Sequence, residues 1–230
     1  MSKFLVFDLG GTLVNVQKKA PPFKLSFVKN VSKTPIDEQR FDSFEKHFNY
    51  LLAEMNKIKS EFEVQIANVL EASLKFFSIE LTTSINEAEL LLAKENADVM
   101  IPPNANRMIE FLSNKQHRFV VLSNSCFSSF ALKKMFNALY PNLPLLKMYS
   151  SADYLFKKPS PQLFGLILSE YGVCYEETCF MGNSYFDVAL PSNMGGESFW
   201  INGDANRVTN DKIHLVSSLN DIIDNWKDLL

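Results

Sequence analysis

Four times along this chain an apolar run ends abruptly in a polar tip. Lys3 to Phe7 leads into Asp8 and then Gly10-Gly11, and Arg118 to Leu122 leads into Ser123-Asn124-Ser125. Thr178 to Met181 leads into Gly182-Asn183-Ser184, and Ser198 to Ile201 into Asn202-Gly203. Short apolar runs without alternation mark strands buried on both faces, as in a parallel sheet. Helix-period segments separate them, at roughly Asn104 to Lys115, Phe127 to Leu139, Pro161 to Tyr171 and Tyr185 to Asn193. Alternating strands and helices predict an α/β chain with a doubly wound parallel sheet, whose ligands bind beyond the carboxyl ends of the strands.

From about Val16 to Val99 this alternation stops. Phe41, Phe44, Phe48, Leu51, Leu52, Met55 and Ile58 share one helical face, and Phe62, Ile66, Val69, Leu70 and Phe77 make another. Thr34-Pro35 offers a helix start, and Ser60 with Glu63 and Ser84 with Glu87 have capping-box spacing. These aromatic stripes are read as helix-packing core. The expectation is an all-helical cap over residues 16–99, inserted into a core formed by 1–15 and 100–230, with no convincing strand inside the insertion.

Composition narrows the function classes. At 230 residues with 47% hydrophobic and 21% charged residues, the chain has ordinary globular balance and no long polar tract. A net charge of −3 gives no general attraction for nucleic acid or anionic membrane, so neither is an expected partner. Lys18, Lys19, Lys24, Lys29 and Lys33 form a local basic stretch without acids, read as a solvated face or as a lure for an anionic substrate. The opening apolar run is too short for a signal peptide or a membrane span, which points to the cytoplasm. Cys126, Cys174 and Cys179 lack metal-ligand spacing and read as reduced packing residues.

The polar tips carry the candidate chemistry. Asp8 before Gly10-Gly11-Thr12 puts a carboxylate beside backbone N–H groups that can approach an anion, although the same residues also make an ordinary turn. Ser123 can donate a hydroxyl to an oxyanion or simply cap the next helix. Lys158, before Pro159, can neutralise developing negative charge or be a solvated lysine. Asp187, four residues after Asn183, can join Asp8 in holding a hard cation or cap its own helix.

Taken in order, the segments Phe7-Asp8-Leu9-Gly10-Gly11-Thr12-Leu13, Val120-Val121-Leu122-Ser123-Asn124-Ser125, Lys158-Pro159-Ser160-Pro161-Gln162-Leu163-Phe164 and Gly182-Asn183-Ser184-Tyr185-Phe186-Asp187 resemble the four motifs of haloacid dehalogenase-like hydrolases. The helical insertion falls where many of them carry a cap. The resemblance implies a Rossmann-like core and Asp8 as a nucleophile forming an aspartyl intermediate, with Lys158 binding the transferring group and orienting Asp8. It also implies phosphate binding by Ser123, Asn124, Gly11 and Lys158. A Mg²⁺ ion would be held by Asp8, the main-chain carbonyl of Gly10, Asn183 and Asp187. The implied substrate is a small, anionic molecule.

Two positions depart from the pattern. Family phosphatases usually carry a second aspartate where this chain has Gly10, and that residue protonates the leaving oxygen and later activates water. Loss of a general acid–base is worth about 10²–10⁴-fold, roughly 3–5 kcal/mol of barrier. Asn183 replaces a usual metal-binding aspartate, which keeps an oxygen but removes a charge and lowers Mg²⁺ affinity. His47, on a cap helix, and His117, at the start of a strand, offer no evident replacement. Three readings stay open: a phosphatase-type hydrolase, a catalytically inactive binding protein, and a metal-independent dehalogenase-like hydrolase in which Arg40 could take a substrate carboxylate.

Overall fold

The computed structural model describes residues 3–19, 22–57, 61–115 and 117–230, with only the backbone of Lys18, Asn104 and Lys115 described. Its elements in chain order begin with β1 (Phe4–Phe7), β2 (Asn15–Lys18), α1 (Phe27–Val31), α2 (Glu38–Lys57), α3 (Ile66–Phe76), α4 (Ile85–Asn96) and β3 (Ala97–Met100). They continue with α5 (Asn106–Lys115), β4 (Phe119–Ser123), α6 (Ser129–Leu139), β5 (Leu145–Ser150), α7 (Ser151–Tyr154) and α8 (Pro161–Tyr171). The last are β6 (Thr178–Gly182), α9 (Tyr185–Asn193), β7 (Glu197–Ile201), β8 (Ile213–Val216) and α10 (Leu219–Asn225).

Six strands form a parallel sheet in the order β5-β4-β1-β6-β7-β8. The chain builds outward from β1 through β4 to β5 and then returns to the other side of β1 with β6. That reversal creates a crevice at the tip of β1, the usual ligand position in such sheets. β1 is buried along its whole length because both its faces are covered. Leu5 and Phe7 pack with Met108, Leu112 and Phe136 on one side. Phe4 and Val6 pack with Leu163, Phe164 and Ile167 on the other.

The segment between β2 and β3 has its own core, formed by Phe41, Phe44, Phe48, Ile66, Leu70, Ala88 and Leu92 among others. The insertion is not all-helical as expected: β2 and β3 pair antiparallel, Val16 with Val99, and frame it where it leaves and rejoins the core. Each strand is four residues of mixed polarity, and the pairing joins segments about eighty residues apart, so no local pattern announces it.

Helix starts also shift. Ser84 and Glu87 make the expected capping box of α4. In contrast, α2 starts beyond Pro35, with Asp37 accepting from Arg40 N (2.8 Å), and Gln65 rather than Ser60 or Glu63 precedes α3. Ser60 and Ile58 lie outside the described residues. Met55 and Phe62 are exposed and so leave the expected stripes. Of the cysteines, Cys179 is buried and Cys126 packs against the insertion's core, but Cys174 is exposed and is not a packing residue. No helix among the described residues is long and apolar enough to cross a membrane.

Phe48 is fully buried in the second core. Phe48→Ala should therefore cost about 3–5 kcal/mol through lost burial and the cavity left behind. Urea unfolding checks this, and a loss below about 1 kcal/mol would mean that the insertion does not unfold cooperatively with the rest.

Candidate active site

The strand tips converge. Lys158 is 6% exposed and Asp187 4% exposed, and the Lys158 ammonium lies 2.6 Å from Asp8 Oδ1 and 2.6 Å from Asp187 Oδ1. It also donates to Leu122 O at 2.8 Å, which anchors it to the end of β4. Only the Asp8 contact combines ion pairing with good hydrogen-bond direction. Asp187 Oδ1 is buried and lacks a hydrogen-bond partner among the described residues. Its other oxygen accepts from Ser184 N (2.9 Å) and caps α9.

Each group is held from several directions. Asp8 N donates to Met181 O (2.8 Å), tying the tip of β1 to β6. Thr12 Oγ1 donates to Asp8 Oδ2 at 3.2 Å. Asn124 grips the main chain of Lys158 on both sides, accepting from its N–H (2.7 Å) and donating to its carbonyl (3.2 Å). Ser123 is buried at the end of β4, one residue beyond Leu122. Gly11 has φ +78, and a Cβ there would fall 2.1 Å from Asn183 Nδ2, so the Asn183 amide occupies space that only glycine leaves open. Gly10 is exposed in the same loop, and a Cβ on it would meet nothing closer than Val16 Cγ2 at 3.9 Å. Gly182 is equally constrained, since a Cβ would lie 2.4 Å from that of Asp187.

Three contributors carried no signal as site residues. Trp200, near the tip of β7, donates Nε1–H to Asn183 O (3.2 Å) and packs beneath Tyr185. Tyr140, at the end of α6, donates its hydroxyl to Leu13 O (2.8 Å) and steadies the loop after Asp8. Thr12 stood inside the first motif without an assigned role. Other expected candidates lie elsewhere. Arg40 Nη2 donates to Phe77 O and to Ser78 O, the latter at 3.0 Å, and so holds the end of α3 instead of facing a substrate. His47 stacks on Phe76 and His117 on Phe111. Much of the basic stretch is paired, Lys29 with Glu38 and Lys33 with Glu80.

Burial raises the Asp8 pKa to about 6; Lys158 opposes this and Asp187 reinforces it. Burial pushes the Lys158 ammonium down, but Asp8 and Asp187 together hold it above the ordinary lysine value. Two carboxylates against one ammonium leave the cluster with one negative charge.

Asp8, Asp187 and the neutral oxygens of Asn183 and Gly10 are the hard donors a magnesium ion favours. Asp187 Oδ1 is buried and, among the described residues, is met by the Lys158 ammonium alone, in an ion pair whose direction is poor for a hydrogen bond, which leaves it able to serve a cation as well. Among the described residues no group of three or more His, Cys, Asp or Glu is arranged for a metal, so charged ligation comes from two carboxylates alone. The cavity lined by Asp8, Lys158 and Asp187 is about 10 Å³, room for about one water.

Solved structures share this architecture across almost the whole chain. A 2-haloacid dehalogenase from Pseudomonas syringae pv. tomato has a TM-score of 0.55 and 18% identity, covering 97% of each chain. The chain has the haloacid dehalogenase-like fold. A haloacid dehalogenase-like phosphatase from Thermococcus onnurineus (TM-score 0.54, 18% identity, 96% of each chain) shares that fold. So does a haloacid dehalogenase family enzyme from Bacteroides thetaiotaomicron in complex with magnesium and inorganic phosphate (TM-score 0.52, 16% identity, 91% of this chain and 100% of the other). No family model and no curated protein matches the sequence.

The raised Asp8 pKa can be tested directly. In a carboxyl ¹³C NMR titration Asp8 should titrate near 6, well above the ordinary aspartate value of 3.8, and Asp187→Asn should lower the midpoint by removing a neighbouring negative charge. Because the folded protein holds this proton more tightly than the unfolded chain, the group makes stability fall as pH rises between those values. A midpoint near that of an ordinary aspartate would refute the burial argument.

Proposed function

We propose that the chain is a phosphatase-type hydrolase acting on a small, anionic phosphorylated metabolite through an aspartyl intermediate at Asp8. What carries this reading is the Lys158 ammonium lodged between Asp8 and Asp187 at the crevice of the sheet. In this reading residues 16–99 act as a cap over a catalytic core of 1–15 and 100–230.

An Asp8 oxygen attacks phosphorus, the bond to the leaving oxygen breaks, and a water then attacks the acyl phosphate to release inorganic phosphate and restore Asp8. Lys158 orients Asp8 and neutralises charge on the transferring group. The Ser123 hydroxyl and the Asn124 main-chain N–H bind the phosphoryl oxygens; the expected Gly11 N–H is instead donated to Val14 O (2.7 Å), and the Asn124 amide holds the Lys158 main chain. Mg²⁺, held by Asp8, Asp187, Asn183 and the Gly10 carbonyl, supplies further positive charge when bound. With a net charge of −1 on its buried triad, the site would otherwise repel a phosphate dianion. Gly10 offers no proton, so the leaving oxygen departs as an anion or takes its proton from solvent.

A second reading, metal-free displacement at carbon, is favoured by one observation: Lys158 already neutralises the nucleophile. It is weakened for 2-haloacids because Arg40 is engaged by main-chain carbonyls.

Turnover of an aryl phosphate should require Mg²⁺, be abolished by EDTA and fall by about 10³-fold or more in Asp8→Asn. No turnover across a broad phosphate panel would reject the phosphatase reading, and halide release unaffected by EDTA would establish the second. The missing acid makes its own prediction. The slope of log kcat against leaving-group pKa should be steep, and Gly10→Asp, for which the loop has room, should flatten it by accelerating alkyl substrates about 10²-fold or more. A flat slope in the natural sequence would show that another residue already donates the proton.

A further inference from the structure

The connection between α2 and α3 is stitched to the loop that delivers Lys158. Lys157 N donates to Glu61 O (2.8 Å) and Glu63 N to Leu155 O (2.6 Å). Between them Phe62 and Phe156 form an antiparallel bridge with their rings 5.4 Å apart. At the next step Ile66 N donates to Cys126 O (3.0 Å) and the Gln65 amide to Ala152 O. The cap therefore touches the core at the loops following β4 and β5, the two loops that carry Ser123 and Lys158.

Glu63 sits where these contacts meet. Its side chain is 10% exposed and lies 3.7 Å from the Lys157 ammonium, too far for a strong bond. Its Oε2 accepts the Ser151 hydroxyl at 2.8 Å, and the same Ser151 oxygen accepts from Ser125 N at 2.8 Å. Ser125 follows Asn124, which grips Lys158 on both sides. The contacts close a ring from Glu63 through Ser151, Ser125, Asn124, Lys158 and Lys157 back to Glu63. A carboxylate this buried is costly unless its oxygens are occupied, and its described partners are Ser151 and Lys157 from across this contact and the neighbouring Val64 N–H (3.1 Å).

We propose that Glu63 is a positioning residue: a cap carboxylate that, through Ser151 and Ser125, fixes the Asn124 clamp and with it the Lys158 ammonium against Asp8. This rests on the reading of Asp8 and Lys158 as the reacting pair. The rival account is a plain structural cross-link whose removal lowers stability and nothing else. The Lys158–Asp8 contact and kcat separate the two, since a plain cross-link moves neither, and Gln separates the hydrogen bond from the charge, because its amide oxygen still accepts from Ser151.

The test compares Glu63→Ala, Glu63→Gln and Ser151→Ala by crystallography and by steady-state kinetics on an aryl phosphate. In Glu63→Ala the Lys158 ammonium should leave hydrogen-bond distance of Asp8, and kcat should fall roughly 10- to 100-fold with KM changed little, since about 1 Å of misplacement can cost that much. Glu63→Gln should restore both within about twofold. Ser151→Ala keeps the carboxylate but removes the link, so it should move Lys158 in the same direction; it decides the matter if Glu63→Ala does not fold. An undisturbed Lys158–Asp8 contact in Glu63→Ala, or in Ser151→Ala where that variant must stand in, would overturn the proposal. So would a fall in Tm with kcat unchanged, or a Gln variant as impaired as Ala. If the natural protein hydrolyses no phosphate, the proposed function fails, while the crystallographic comparison still decides the role of Glu63.

Discussion

One buried ammonium between two carboxylates is the constraint around which the crevice is organised. Charges this deep are tolerated only in company, and removing one partner from a buried pair typically costs about 3–5 kcal/mol. Lys158 is accordingly held at both ends. Its main chain is clamped by Asn124 from the loop after β4, and its Nζ is shared among Asp8, Asp187 and Leu122 O. These partners come from β1, from β4 and the loop after it, and from α9 behind β6, three neighbours in the β5-β4-β1-β6-β7-β8 order, which is what makes the cluster possible. The ion pairs in turn fix how far those loops can move apart.

The same logic extends outward. The tip of β6 closes on Asp8 because Gly182 has no side chain to strike Asp187, and Gly11 yields its space to Asn183. Trp200 supports the Asn183 main chain from β7, and Tyr140 supports Leu13 from α6. Glu89 of α4 is buried and accepts from Ser128 N and Oγ (2.7 and 2.5 Å), so a cap carboxylate occupies the start of α6. Burial raises its pKa despite those bonds. The segment between β2 and β3 is thus joined to the rest of the chain through two acids, Glu63 before α3 and Glu89 in α4, and in both cases the acceptor belongs to that segment and the serine lies outside it.

Much of this was legible in the sequence because burial on both faces leaves a plain mark. β1, β4, β6 and β7 each carry a short apolar run, and the polar tips of the first three announced Asp8, Ser123, Asn183 and Asp187. The edge strands were not legible. β5 carries Lys147 and Tyr149, both turned to Glu170, and β8 carries His214 facing Glu197, so polar residues that serve lateral contacts interrupt their apolar pattern. β2 and β3 find each other only through the folded insertion. In the site, Lys158 was legible through its neighbours in sequence, whereas Trp200, Tyr140 and Glu63 act through contacts spanning 17 to 127 residues. Such contacts leave no periodicity, and a serine or glutamate at a helix start is equally explained by capping. Ser60 with Glu63 shows the ambiguity: the glutamate that fitted a capping box instead reaches Ser151.

The two departures from the family pattern, Gly10 and Asn183, bear on the same electrostatic quantity. With aspartates at both positions the site would hold four carboxylates against Lys158, a net charge of −3; here Asp8, Asp187 and Lys158 sum to −1. Like charges packed a few ångströms apart raise one another's pKa unless a cation intervenes. Removing two of them lets Asp8 ionise with Lys158 as its main counter-charge, at a pKa near 6. In the proposed phosphatase reading Asn183 removes a ligand charge and Gly10 removes a proton donor, and both make the stability of the departing anion the dominant variable in group transfer at Asp8.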